Sequence, residues 1–198
     1  MNKRNAIIVG IAGAALVLAG VGITVALNAP QPGVPVPSES AAPVAEPTIS
    51  PTPTPEPEAY DTASSLLFII EEEKLAYDVY VTLGGLWGSN IFANIAASET
   101  THQELVLPLL EARAIADPRS SEVGVFTDPE LQALYDDLIA RGSASLAEAM
   151  QVGILIEEKD IADLTAAIAA EDEVDVISVY ERLLAGSENH LASFQRQA

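Results

Sequence analysis

Glu72-Glu73-Lys74 recurs as Glu157-Glu158-Lys159, and this internal repeat limits the folds open to the chain more than any other feature. Each copy follows an apolar run, residues 66–70 and 152–156, and each is followed by a histidine. From Glu73 to His102 is 29 residues and from Glu158 to His190 is 32, and the chain has 2 histidines. Ser98-Glu99-Thr100-Thr101-His102 has its counterpart in Gly186-Ser187-Glu188-Asn189-His190. Two similar helix hairpins can face each other across a pseudo-twofold axis, which brings polar residues of four helices to one central point.

The hydrophobic spacing supports helices and no strands. Ile91, Ile95, Glu99, His102, Val106 and Leu109 fall on one helical stripe, which the glutamate and the histidine interrupt. An ionised glutamate in such a stripe costs several kcal/mol unless it meets a partner or a cation. Four long helices are predicted, over about 61–83, 89–114, 145–170 and 174–196. Gly84-Gly85 is expected to end the first, and Thr127-Asp128-Pro129-Glu130 and Ser145-Leu146-Ala147-Glu148 read as capping boxes. Two short hairpins joined by a long connection that holds a short extra helix describe an all-α, ferritin-like four-helix bundle with one crossover.

This bundle is expected to occupy residues 60–198. Before it, residues 29–59 form a Pro-rich linker, and residues 1–28 read as a membrane anchor or signal segment. Asn2-Lys3-Arg4-Asn5 is basic and residues 6–27 carry no charge, enough to span a bilayer as helix. Thr24-Val25-Ala26 offers a cleavage site, so the rival reading is a secreted protein. Either way the domain is expected outside the cytoplasm. The linker holds ten of the 13 prolines and favours extended conformations.

Charge and composition exclude several functions. With 29 acidic residues against 9 basic ones the net charge is -20, which disfavours nucleic acid and makes cations the natural partners. The absence of cysteine rules out disulfides, thiolate metal sites and cysteine nucleophiles, so a metal would be held by oxygen and imidazole. Carboxylate-bridged dimetal bundles draw one Glu from each of two helices and Glu-x-x-His from each of two others. Carboxylates bridge and neutralise the ions, and one imidazole per ion suits iron or manganese. The inward faces read as Ile69, Glu73, Ala76, Tyr80 and Leu83 in the first helix and Val176, Tyr180, Leu183, Ser187, His190 and Phe194 in the fourth. Periodicity leaves Glu72 or Glu73, and Glu157 or Glu158, as the inward carboxylate. Taken alone, these acidic runs more often form solvated helix surface.

Glu71-Glu72-Glu73-Lys74-Leu75-Ala76 with Asp78-Val79-Tyr80, Phe92-Ala93-Asn94-Ile95-Ala96-Ala97-Ser98-Glu99 and His102 resemble a bacterial family of the ferritin-like superfamily, domain-of-unknown-function family 2202. Gly124-Val125-Phe126-Thr127, Ile156-Glu157-Glu158 with Asp160-Ile161-Ala162-Asp163-Leu164, and Gly186-Ser187 with Asn189-His190-Leu191 continue the resemblance. It implies a ferritin-like fold with a metal site and leaves the activity open. Rubrerythrins and ferritins, more distantly similar, place a tyrosine seven residues after the first-helix ligand. The spacing of Glu73 and Tyr80 therefore favours Glu73 and, through the repeat, Glu158, which gives Glu73, Glu99, His102, Glu158 and His190 as the expected ligands. Ser187 stands where a full dimetal site would have Glu.

Three functions follow as expectations. The first is a ferritin-like protein binding one or two iron or manganese ions, with an oxidase or peroxidase type of activity. The second is a binding or scaffold module that kept the bundle without a full dimetal site, and the third, from charge alone, is a surface cation buffer. Assembly into a homo-oligomer stays open.

Overall fold

The computed structural model describes residues 60–198, and the expected anchor and linker lie outside them. Five helices follow in order: α1 (Thr62–Trp87), α2 (Asn90–Ala112), α3 (Pro129–Gly142), α4 (Leu146–Ala170) and α5 (Val174–Gln195). The architecture is all-helical, as the periodicity predicts. The hairpins α1–α2 and α4–α5 are joined by a long crossover that carries α3. No helix among the described residues is long and apolar enough to cross a membrane.

The helix ends differ from expectation in two places. α1 runs through Gly84-Gly85 and stops at Gly88, which has φ 66 and donates its N–H to the Gly84 carbonyl. Gly84 has a packing role instead, because a Cβ there would lie 2.9 Å from the Cβ of Phe92 on α2. The cap of α3 is Asp128, whose carboxylate accepts from the N–H groups of Glu130 and Leu131, whereas the Thr127 hydroxyl donates to the Pro118 carbonyl. At α4 the expected cap holds, with the Ser145 hydroxyl accepting from the Glu148 N–H.

α1 packs against α2, α3 and α4. That position explains Glu71, Glu72 and Glu73, which are 3%, 3% and 2% exposed and so overturn the solvated-surface reading. Successive residues are about 100° apart on a helix, so the run sweeps about 200° and each side chain meets a different neighbour. Glu71 accepts from the backbone N–H groups of Thr127 (2.7 Å) and Asp128 (2.9 Å) in the crossover. Glu72 pairs with Lys159 of α4 at 2.6 Å, and Glu73 faces His102 of α2 at 3.0 Å.

Along the bundle axis the apolar core is split in two. One cluster gathers Leu75, Val79, Tyr80, Phe92, Met150, Ile156 and Phe194, and the other gathers Leu66, Ile70, Val106, Leu110, Leu164, Tyr180 and Leu183. Between them α1, α2, α4 and α5 each change from apolar to polar and back. The buried Glu73, Glu99, His102, Glu157, Asp160, Ser187 and His190 form this polar waist.

Candidate metal centre

Glu99 is the middle of the waist. It sits on the stripe of α2 one turn before His102, and its two carboxylate oxygens face in different directions. Oε2 lies 2.9 Å from His102 Nδ1, which is itself 3.0 Å from Glu73 Oε2. Oε1 lies 3.0 Å from His190 Nδ1, which is 3.6 Å from Glu157 Oε2. Two groups of ligand atoms result, Glu73–Glu99–His102 and Glu99–Glu157–His190, each with its atoms within 4.8 Å of one another. The imidazole rings of His102 and His190 stack with centroids 5.3 Å apart.

The neighbours fix which ring nitrogen is presented. A Cβ on Gly186 of α5 would stand 2.3 Å from His102 Nε2, so the bare backbone of α5 leaves room for the Nε2–Cε1 edge of the ring while Nδ1 faces the two glutamates. Tyr80 donates to Glu157 Oε1 at 2.5 Å and leaves Oε2 for His190. Tyr80 is also among the residues lining a groove of about 540 Å³ between α1 and α2.

The donor set fits a cation. Glu73 Oε1, Glu99 Oε1, Asp160 Oδ1 and His190 Nδ1 are buried and have no hydrogen-bond partner, although Glu99 Oε1 and His190 Nδ1 are only 3.0 Å apart. Such atoms are costly in a packed interior. At 3.0 Å, Glu99 Oε1 and His190 Nδ1 are close enough to share either a proton or a cation.

Electrostatics point the same way. Burial disfavours the His102 cation, but hydrogen bonding and charge from Glu73 and Glu99 prevail and push its pKa up to about 11. His190 is raised to about 9, again against burial, by Glu157 and Glu99. Burial would raise Glu99, but the two histidines outweigh it and bring it down to about 2. Glu157 goes up to about 7, chiefly through burial. Burial raises Glu73 well above the usual carboxylate range, with Glu99 adding to it and His102 opposing. Without a cation, then, protons on the histidines balance the glutamates.

Of the five expected ligands, Glu73, Glu99, His102 and His190 meet at the waist, and Glu158 does not. Glu158 is exposed, and Glu157 takes the inward place. Leu164, fully buried, lies seven residues after Glu157, close to two full helical turns, but six after Glu158, about 240° round the helix. The repeat aligns Glu158 with Glu73, yet α4 is rotated relative to α1, and the aligned lysines confirm it. Lys74 pairs with Asp78 and donates to the Glu122 carbonyl, while Lys159 pairs with Asp163 and reaches across to Glu72. Asp160, outside the expected ligand set, is buried beside these residues, and Glu157-x-x-Asp160 has the spacing of Glu99-x-x-His102.

Fold and cluster together define a class: a helical bundle with a buried carboxylate–histidine centre able to hold metal. The chain belongs to the family described as Uncharacterized protein domain (DUF2202), which matches residues 62–198. It is 46% identical over 132 residues to Uncharacterized protein MJ0754 of Methanocaldococcus jannaschii, covering 66% of this chain and 71% of that one. The crystal structure of hypothetical protein MJ0754 from Methanococcus jannaschii superimposes with a TM-score of 0.69 at 43% identity, over 75% of this chain and 85% of that chain.

Proposed function

We propose that the bundle is a ferritin-like metal protein that binds two divalent ions of the iron or manganese type. One position uses Glu73, Glu99 and His102, and the other uses Glu99, Glu157 and His190. The observation that carries this reading is the division of Glu99, whose two oxygens each face a different histidine and a different second carboxylate. A carboxylate so placed would offset charge on both ions if two were held there. Oxygen-rich donors with one imidazole per position suit iron and manganese better than softer metals.

Paired redox metals, when bound, supply electron exchange with a small oxidant such as oxygen or peroxide. The protein's part is to fix the ligands and keep bulk water out, which the apolar clusters on either side of the waist do. Tyr80 holds a proton on its hydroxyl, because burial and then the Glu157 charge raise its pKa well above 10, and it orients Glu157 through that proton. An oxidase or peroxidase activity is the reaction class these parts support.

The test is metal analysis of the full-length chain after reconstitution with ferrous iron or manganese. Two ions per chain are expected, and His102→Ala and His190→Ala should each remove one. Substoichiometric metal in the wild type, unchanged in both variants, would overturn the reading.

One observation favours a second reading, a binding module without redox chemistry. Ser187 occupies the place of a glutamate, and the histidine–glutamate pairs already balance much of the charge in the waist. On that reading, chelation leaves the melting temperature unchanged.

A further inference from the structure

The gap left by Ser187 lies beside an acid that the ligand set above does not use. Asp160 is 5% exposed, on α4 one turn beyond Glu157. The Ser187 hydroxyl of α5 donates to Asp160 Oδ2, and it is also 3.0 Å from the Leu183 carbonyl. This contact fixes one carboxylate oxygen, while the other, Oδ1, is buried with no hydrogen-bond partner. Asp160 belongs to neither group of ligand atoms as the side chains stand. Burial raises it well above the usual carboxylate range, the charges of Glu73, Glu157 and Glu99 add to this, and the contact with Ser187 opposes it.

The order of residues along the helices places it further. Glu99 meets His190, while His102 packs against Gly186 next to Ser187, so α2 and α5 run past each other in opposite directions. Ser187 is therefore level with His102, and the acid it holds belongs to the Glu73–Glu99–His102 end. On the other side of Asp160, Lys159 pairs with Glu72 and fixes the same turns of α1 and α4 against each other.

Charge gives an independent argument. Three carboxylates facing two divalent ions leave one positive charge uncompensated in a buried site, and a fourth carboxylate removes it. Ser187 lacks that charge and Asp160 has it.

Building on the metal-binding reading, we propose that Asp160, held by Ser187, is a ligand of the ion at Glu73, Glu99 and His102. It supplies from α4 the carboxylate that α5 lacks at position 187. The centre is then complete but asymmetric, with two carboxylates from α4 and one each from α1 and α2.

Manganese(II) titration of the full-length chain, followed by calorimetry, tests this, with the melting temperature of the metal-free form recorded alongside. Asp160→Asn keeps the shape and the contact with Ser187 but removes the charge. It should leave the metal-free chain folded, with an unchanged or higher melting temperature, and weaken one of the two manganese sites by about 10- to 100-fold or more. The double variant Asp160→Ser with Ser187→Glu, which moves the carboxylate back to α5, should restore two-site binding. Two undiminished sites in Asp160→Asn would overturn the assignment while leaving the five-ligand reading in place. A wild type that takes up no manganese would remove both.

Discussion

At the scale of single residues, Glu99 has the greatest consequence. It is 2% exposed, belongs to both ligand groups, and is the partner through which each histidine holds its charge. Breaking a buried ion pair by removing one partner leaves an uncompensated charge and costs about 3–5 kcal/mol. Glu99→Gln is therefore expected to destabilise the metal-free chain by about 3 kcal/mol in urea denaturation. It should also abolish manganese binding at both positions, whereas a histidine variant loses one. A variant that is as stable as the wild type and still binds two ions would show that the bridging role is wrong. Glu99 was legible in the sequence because it interrupts an apolar stripe on the helix that carries His102. Asp160 was not, since it lies in a stretch of α4 already rich in acids, where the Glu157-x-x-Asp160 spacing is weak by itself and its burial and contact with Ser187 belong to the fold.

Among the elements, the faces of α2 and α5 followed from periodicity, and the expected stripe of α5 matches its buried residues, Val176, Tyr180, Leu183, Ser187, His190 and Phe194. The rotation of α4 did not follow. An internal repeat aligns sequence, but the angle at which each helix meets its neighbours depends on what they present: α1 turns Glu71 to backbone N–H groups of the crossover, whereas α4 turns Lys159 to Glu72 of α1. The close approach of α2 and α5 is a second feature of this scale, and it rests on Gly186. Gly186→Ala places a methyl group where His102 Nε2 lies, so the ring or the helix must move. The expected cost is about 1–3 kcal/mol, as for other overpacked interiors. It should be accompanied by weaker manganese binding at the His102 position and an unchanged His190 position. Unaltered binding at both positions in a folded Gly186→Ala protein would show that the ring orientation is not set by α5.

For the whole molecule, the waist gives stability a pH dependence opposite in direction to metal affinity. The folded pKa of His102 is raised from 6.5 to about 11 and that of His190 to about 9, so their contributions are complete below 6.5. They are lost as the pH rises through about 9 and then about 11. Glu99 is lowered from 4.5 to about 2, so its contribution is present above 4.5 and disappears as the pH falls toward 2. Glu157, raised from 4.5 to about 7, costs stability increasingly across that interval. The metal-free chain is therefore expected to melt highest between about pH 4.5 and 6.5 and progressively lower toward pH 9. Manganese affinity should rise over the same range, because the ion must displace the histidine protons. Thermal melts and titrations between pH 4.5 and 9 check both, and a metal-free melting temperature that climbs throughout would contradict this charge assignment. None of these dependences was visible in the net charge of -20, a total that does not separate buried from exposed groups.

The run Glu71-Glu72-Glu73 has a consequence for how such a chain can change over generations. Inserting or deleting one residue in α1 turns everything beyond it by about 100° and shifts it by about 1.5 Å. Elsewhere on a helix a neighbouring residue of similar character can step into the vacated place. Here the three glutamates are chemically identical and their targets are not: two backbone N–H groups of the crossover, the ammonium of Lys159 and the imidazole of His102. A slip by one would still leave acids facing two of the three targets but would set Ile70 or Lys74 opposite the third and turn the apolar residues beyond the slip away from the core. Length variation should therefore collect in the crossover before Gly124 and not in α1, and the spacing from Glu71 to Tyr80 should be the part of the chain least able to drift.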